Sequence, residues 1–149
     1  MSLRIKRKLA ISVGTIALAV PALAFAGGGV KTNYDGHIVG SKDSAVRVKE
    51  AFGDLERAVK TFAVRDFTVQ CEGGVPGTLA RTKLVGTIPV DKDGDFKARD
   101  DNGKTILKAK GHIGRNKATG TFRYSGTVKA DNGRKLDCDS GKLDWIARP

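Results

Sequence analysis

Apolar and polar residues alternate along much of the second half of the chain. Phe67, Val69 and Cys71 share one side of an extended segment, and Thr68 and Gln70 occupy the other side. Similar short segments follow towards the C-terminus. An alternation with a period of two is typical of a half-buried strand, so the pattern predicts a β-rich domain with the cysteine on the buried side of its strand.

Turn sequences divide this region into hairpins. Asp93-Gly94, Asn102-Gly103 and Asn132-Gly133 supply the positive φ that tight hairpin turns require. The strands predicted around these turns are 67–71, 82–90, 95–98, 106–113, 119–124, 136–138 and 142–147. Short strands at this spacing predict an all-β fold of about eight strands, arranged as an antiparallel sandwich or barrel. We favour a β-sandwich of the jelly-roll-like or immunoglobulin-like kind.

The segment 43–64 fits two kinds of secondary structure. Its apolar residues are spaced as on one side of a helix: Val48, Phe52, Leu55, Val59 and Phe62. Against a helix, Gly53 lies in the interior and Val46 alternates with Val48. The side-chain parity also changes between Val64 and Phe67, as a β-bulge would produce. We favour strands, partly because of the resemblance described below.

The N-terminus has the features of a secretory signal peptide. A basic start is followed by the uncharged stretch 9–26, which ends in Ala24-Phe25-Ala26, with small residues where signal peptidase requires them. We predict cleavage after Ala26 and a secreted, extracytoplasmic protein without a stable membrane anchor. The alternative, a retained anchor, fits the length and the Ala-Phe-Ala sequence less well. Residues 27–33 would form a flexible leader, and residues 34–149 a single domain.

The charge of the chain bears on its partners. The formal net charge is +11, and the predicted signal holds four of the 27 basic residues and none of the 16 acidic ones, which leaves +7. A positive field favours encounter with an anionic cell-wall polymer or an acidic polysaccharide, although a merely solvated basic surface has the same composition. We expect no nucleic acid partner, because aromatic residues are few and no binding motif is present. We also expect a monomer.

The chain has two cysteines, Cys71 and Cys138. In an oxidising compartment they predict a structural disulfide, which would contribute about 4 kcal/mol to stability in the chain-entropy model. Two free thiols or an intermolecular bridge are the alternatives. A disulfide would also remove the candidate thiol nucleophiles of the chain.

Several short sequences match a set of uncharacterised secreted bacterial proteins that are common in high-GC Gram-positive bacteria. The matching pieces are Gly36-His37-Ile38, Val46-Arg47-Val48, 67–71, Gly94-Asp95-Phe96, 110–122 and, most specifically, Cys138-Asp139-Ser140-Gly141 followed by Trp145. Between Tyr34 and Arg148 the chain resembles this family. The resemblance implies an all-β fold, a disulfide between the two cysteines and strands in the segment 43–64. It implies no activity.

Three aspartates are the least implausible catalytic residues. Asp137 and Asp139 flank Cys138 on the opposite face of a strand, about 7 Å apart, which is in the range of the carboxylates of inverting glycosidases. Asp144 could join them from the next strand. A strand with its cysteine inward would point both flanking carboxylates to solvent, and the sequence indicates no cleft, so we assign no catalytic residue.

Other candidate sites are better explained by turns or by the core. The Asp91-Lys92-Asp93-Gly94-Asp95 sequence suits Ca²⁺ in composition, but its order departs from a calcium loop and fits a hairpin turn. Ser140 does not lie in a nucleophile elbow, and His37 and His112 lack cysteine partners for zinc. Trp145 and Tyr124 could stack on a sugar, but we expect the tryptophan in the core. We assign no metal and no cofactor.

The sequence therefore predicts a secreted, non-enzymatic β-sandwich protein whose basic surface binds an anionic component of the cell envelope. A small secreted hydrolase that uses Asp137, Asp139 or Asp144 is the main alternative. A secreted inhibitor or adhesin that acts through a loop is another.

Overall fold

The part of the chain that the structure describes forms one antiparallel sheet of nine strands. A computed structural model describes residues 31–53 and 56–149. The strands are β1 (Lys31–Ile38), β2 (Ala45–Gly53), β3 (Glu56–Cys71), β4 (Val75–Pro89), β5 (Asp95–Asp101), β6 (Thr105–Ile113), β7 (Ala118–Lys129), β8 (Lys135–Asp139) and β9 (Leu143–Arg148), with a short 3-10 turn at Glu72–Gly74. The predictions of an all-β antiparallel fold and of one disulfide are confirmed.

One strand, β8, lies outside the continuous order of the sheet. Its strand order is β4-β3-β2-β1-β9-β7-β6-β5, and β8 pairs with both β3 and β7. β8 and β9 lie end to end along β7, where Asp139 is opposite Ser125 and Leu143 is opposite Phe122. On the side away from β7, β8 pairs with β3, and β9 pairs with β1. The β1–β2 hairpin therefore lies between β3 and β9, with β2 paired to β3 and β1 paired to β9.

The bend between β8 and β9 is formed by Asp139, Ser140 and Gly141. Gly141 has a φ of 64°, a conformation that glycine adopts without steric cost. Its N–H donates to Asp139 Oδ1 at 2.6 Å, while the N–H of Tyr124 on β7 donates to Ser140 Oγ at 2.9 Å. These hydrogen bonds fix the bend beside β7. On the side away from β7, the pairing partner differs before and after the bend: β8 pairs with β3, and β9 pairs with β1.

The segment 43–64 belongs to β2 and β3 in its described part, so the prediction of strands is confirmed. The register of β3 with β2 shifts at Lys60, which is an extra residue on β3. The register of β3 with β4 shifts at the same place, but there β4 has the extra residue, because Gly86 and Thr87 lie opposite Lys60. The predicted parity change after Val64 is also present, at Asp66, whose φ is 50°. The register with β4 is the same on both sides of Asp66. The prediction of a β-bulge between Val64 and Phe67 is therefore wrong. The left-handed backbone conformation of Asp66 changes the side-chain parity without an inserted residue.

Two predicted boundaries are wrong. β4 begins at Val75 rather than at residue 82, and it includes Pro76, which is tolerated because β4 is an edge strand that pairs only with β3. β1 begins at Lys31, so the expected leader does not extend through Asn33. Backbone pairing with β2 orders these polar residues without an apolar pattern. The predicted signal peptide lies outside the described residues.

The core lies inside the curved sheet. The ring of Trp145 packs against Phe62, with ring centroids 5.3 Å apart, and against Phe96. A Cβ at Gly111 would lie 2.5 Å from the ring of Phe96 and 2.6 Å from that of Trp145, so only glycine fits beneath them. Trp145 and Tyr124 are both buried and are not presented to a ligand, as the core interpretation predicts.

The disulfide joins Cys71 on β3 to Cys138 on β8. The two residues lie directly opposite each other, and only one other residue pair, Gln70 and Asp139, connects these strands. Because the backbone pairing is so short, the covalent bond is the main link between β3 and β8 at this end of the sheet.

Candidate anion-binding site

Cationic side chains gather on the outer face of β2, β3 and β4. The strand registers place them in adjacent rows. Arg65 on β3 lies directly opposite Arg81 on β4. In the next row, Ala63 on β3 separates Arg47 on β2 from Lys83 on β4. All four basic residues are exposed, so three neighbouring strands present them on one patch of surface.

A depression of about 410 Å³ lies within this patch. Small residues form its floor, and arginines form its sides; its lining includes Gly36, Ala45, Ala63, Arg47, Arg65 and Arg81. The concavity arises because short side chains alternate with long ones across the three strands. We call this feature the arginine depression.

One carboxylate reaches the arginine depression. Asp35 on β1 accepts a hydrogen bond from Arg47 Nε at 2.5 Å, and this bond raises the pKa of Arg47 above its usual value. Arg65 and Arg81 form no ion pair with any residue that the structure describes. Like charges directly opposite each other destabilise an antiparallel pair of strands. An anion bound between the two guanidinium groups would remove that repulsion.

Another arginine shows the contrasting structural use of this side chain. Arg57 Nε donates to Glu50 at 2.7 Å, and the side chain of Glu50 is 1% exposed. Arg57 Nη2 also donates to the carbonyl of Ile113 at 3.3 Å. Burial, followed by the negative charge of Glu50, raises the pKa of Tyr34 beside this pair. Arg57 therefore neutralises a buried carboxylate and is committed to the fold.

A second depression, of about 540 Å³, lies beside the disulfide. Its lining includes Asp137 and Asp139, together with Glu72 and Lys104, and we call it the acidic depression. The structure thus brings two of the three candidate aspartates together. Asp144 lies elsewhere, on β9 beyond the bend, opposite Thr121 of β7.

Both aspartates of the acidic depression have partners. Thr127 Oγ1 donates to Asp137 at 2.7 Å. Arg123 donates to Asp139 through Nη2 at 2.8 Å, and this contact is the main reason that the pKa of Asp139 lies below its usual range. Glycoside hydrolysis needs one carboxylic acid that keeps its proton, which requires a raised pKa. Asp139 is therefore poorly suited to the acid role.

The remaining candidate residues take part in turns and pairs. Asp91 Oδ1 accepts the N–H groups of Asp93 and Asp95, both at 2.9 Å, and these bonds help lower the pKa of Asp91. His112 Nδ1 lies 2.8 Å from Asp95 Oδ1. His37 is on β1, and β9 and β7 separate it from β6, where His112 lies. Within the described ranges, no cluster of three or more histidine, cysteine or acidic residues could hold a metal ion.

Sequence reasoning missed Arg65 and Arg81. They are 16 positions apart in sequence, and their contact depends on the register of β3 with β4. The sequence did contain a signal for this contact. β3 and β4 form a hairpin, and each has an outward-facing arginine at the same distance from the turn at Glu72–Gly74. That signal could be used only if β4 had been extended back to Val75.

The comparisons with known proteins are negative: no family model, no curated protein and no solved structure matches the chain. In residues 31–53 and 56–149, no helix has the length and the apolar character needed to cross a membrane.

Proposed function

We propose that this protein is a secreted, non-enzymatic all-β protein that binds an anionic polymer of the cell envelope at the arginine depression. One observation carries the proposal. Arg65 and Arg81 face each other across two strands at a depression that both of them line, and neither has a carboxylate partner among the described residues. Arg47 and Lys83 in the neighbouring row extend the positive surface.

Two features support the extracytoplasmic location. The N-terminal sequence has the charge, the apolar stretch and the Ala-Phe-Ala ending of a signal peptide. Both cysteines are joined in a disulfide, a bond that persists in oxidising compartments. In such a place the protein meets anionic wall polymers at high local concentration, and long-range attraction would raise the encounter rate.

The test compares two double variants in the chain that begins after Ala26. Arg65→Gln/Arg81→Gln removes the facing arginines. Lys129→Gln/Lys135→Gln is the matched control, since these exposed lysines also lie directly opposite each other, on β7 and β8. Both changes remove two positive charges.

We expect wild-type protein to sediment with isolated cell wall at low salt and to be released as ionic strength rises. The arginine variant should lose at least tenfold in affinity, and the lysine control should lose far less. Equal losses in the two variants would reduce the effect to net charge and contradict the proposed site. Binding that ignores salt would contradict the electrostatic mechanism.

A hydrolase remains the second candidate function, because the acidic depression brings Asp137 and Asp139 together. Release of reducing ends from wall polysaccharide would detect it. We expect no release. Release that disappears in Asp137→Asn but persists in Asp144→Asn would instead establish hydrolysis at the acidic depression.

A further inference from the structure

We infer that the group recognised at the arginine depression is a phosphate, carried by a polymer of phosphodiester-linked units, and not the carboxylate of an acidic polysaccharide. This inference rests on the proposed function and names the chemistry of its ligand. It follows from the type of cation at the site and from the way in which the strands arrange the cations.

The first argument is the residue type. Lysines outnumber arginines in the sequence, yet the three basic residues that line the depression are all arginines: Arg47, Arg65 and Arg81. A lysine offers a strongly hydrated point charge, which is sufficient for attraction to any polyanion. An arginine offers a planar fork of N–H donors that matches pairs of oxygen atoms on phosphate or carboxylate. The lining therefore favours directional recognition of an oxyanion.

The second argument is the placement of the forks. Directly opposite residues of an antiparallel pair have Cβ atoms about 5 Å apart, so Arg65 and Arg81 can converge on one group from two strands. A carboxylate has two oxygens in one plane, and a single fork can satisfy both of them. The two non-bridging oxygens of a phosphodiester are arranged tetrahedrally about phosphorus together with the two ester oxygens, so a second guanidinium group can bind outside the plane of the first. Two converging forks therefore match phosphate better.

The third argument is the surroundings of the site. Ala45 on β2 lies directly opposite Arg65, and Ala63 on β3 lies directly opposite Arg47, so each of these arginines has a short side chain as its neighbour across the β2–β3 pairing. The volume of the depression, about 410 Å³, exceeds that of a phosphate group. Lys83 on β4 and Lys49 on β2 lie beyond it, where an adjoining phosphate of the same polymer needs only a positive charge.

The test uses charge-conserving variants of the chain that begins after Ala26. Arg65→Lys/Arg81→Lys keeps both charges and removes both forks, whereas Arg65→Gln/Arg81→Gln removes charge and forks together. Binding is measured by titration calorimetry with two probes of matched length and charge: a glycerol-phosphate polymer and polygalacturonate. Thermal melting of each variant checks the fold, which should be unchanged because both positions are exposed.

We expect wild-type protein to prefer the phosphate polymer by about tenfold or more. The lysine variant should bind both polymers with similar, salt-sensitive affinity, and the glutamine variant should lose most binding to both. Equal affinity of the wild type for the two probes, or a preference that survives in the lysine variant, would overturn the phosphate inference and leave the proposed function intact. If the glutamine variant bound like wild type, the proposed function itself would be wrong.

A further arm separates the carrier of the phosphate. Vesicles with anionic phospholipid headgroups present phosphate on a membrane surface in place of a polymer. We expect weak binding to these vesicles. Strong binding to vesicles, combined with none to the glycerol-phosphate polymer, would overturn the polymer as the carrier.

Discussion

The arginine depression and the acidic depression are both hollows on the outside of the same sheet, but their charges are arranged differently. In the acidic depression, Asp139 is paired with Arg123, and Asp137 accepts a hydrogen bond from Thr127. In the arginine depression, Arg65 and Arg81 face each other, and neither has a carboxylate partner among the described residues. Partnered charges are committed to local structure, whereas facing arginines that line a depression and have no carboxylate partner are available to a ligand. The partners of a charge, more than the number of charges, distinguish a candidate binding site.

The largest expected effect is at the disulfide, which borders the acidic depression and not the arginine depression. Cys71→Ser/Cys138→Ser should lower the free energy of unfolding by about 4 kcal/mol, because the bond closes a 67-residue separation in the unfolded chain. Urea unfolding with and without reductant measures the loss. Below its melting temperature, the variant should bind anionic polymer as wild type does. A folded variant without binding would show that the two depressions are coupled.

The next effect distinguishes a paired arginine from an unpaired one. Arg123→Gln should lower the free energy of unfolding only slightly, as the loss of an exposed ion pair does, and should leave polymer binding unchanged. Arg81→Gln should weaken binding several-fold and leave stability equal or slightly higher, because the repulsion from Arg65 is removed. Chemical denaturation and calorimetry on both variants provide the measurements. A stability loss in Arg81→Gln comparable to that in Arg123→Gln would remove the distinction.

A smaller effect concerns the one carboxylate of the arginine depression. Asp35→Asn removes a negative charge and releases the guanidinium group of Arg47. We expect anion binding to tighten about two- to fivefold at low salt, since an exposed ion pair in water is weak. Asp144→Asn, which makes the same change outside both depressions, is the control. Equal tightening in the two variants would indicate only the change in net charge.

The smallest effect is the pH dependence at Asp139. Its pKa in the folded protein is lowered, chiefly by Arg123, so the ionised carboxylate stabilises the fold above the pKa of the unfolded chain, near pH 4. That contribution is lost as pH falls through the lowered pKa. Wild type should therefore be up to about 1 kcal/mol more stable than Asp139→Asn at pH 7, and the difference should shrink towards pH 2. A difference that persists in acid would exclude ionisation as its source.

Local patterns were sufficient to predict much of the fold. Alternation places Phe67, Val69 and Cys71 on their strand, and the Asp-Gly and Asn-Gly pairs locate most turns, because both depend on neighbouring residues. The disulfide follows from two cysteines and an export signal. In the segment 43–64, helical spacing and strand alternation overlap, and pairing between distant strands selects the strands.

The arginine depression could not be predicted in this way. Its geometry depends on which residue of β3 faces which residue of β4, and that alignment runs unbroken from Cys71 and Val75, beside the turn, to Arg65 and Arg81. A prediction of β4 that started at residue 82 left Arg81 outside any strand. The bend at Ser140 and Gly141 is likewise a tertiary feature, since it exists only because one strand changes its partner.

The pairing of β1 with β9 joins the first and last strands of the described chain, so folding of the sheet depends on both. Asp35, near the start of the described chain, lies opposite Arg148, the second residue from its end. The gap between β1 and β7 can therefore be filled only after β9 has been synthesised. Until then, the β1–β2 hairpin has an open edge that could join another chain. A chain that lacks Leu143–Arg148 should aggregate instead of folding as a shorter domain.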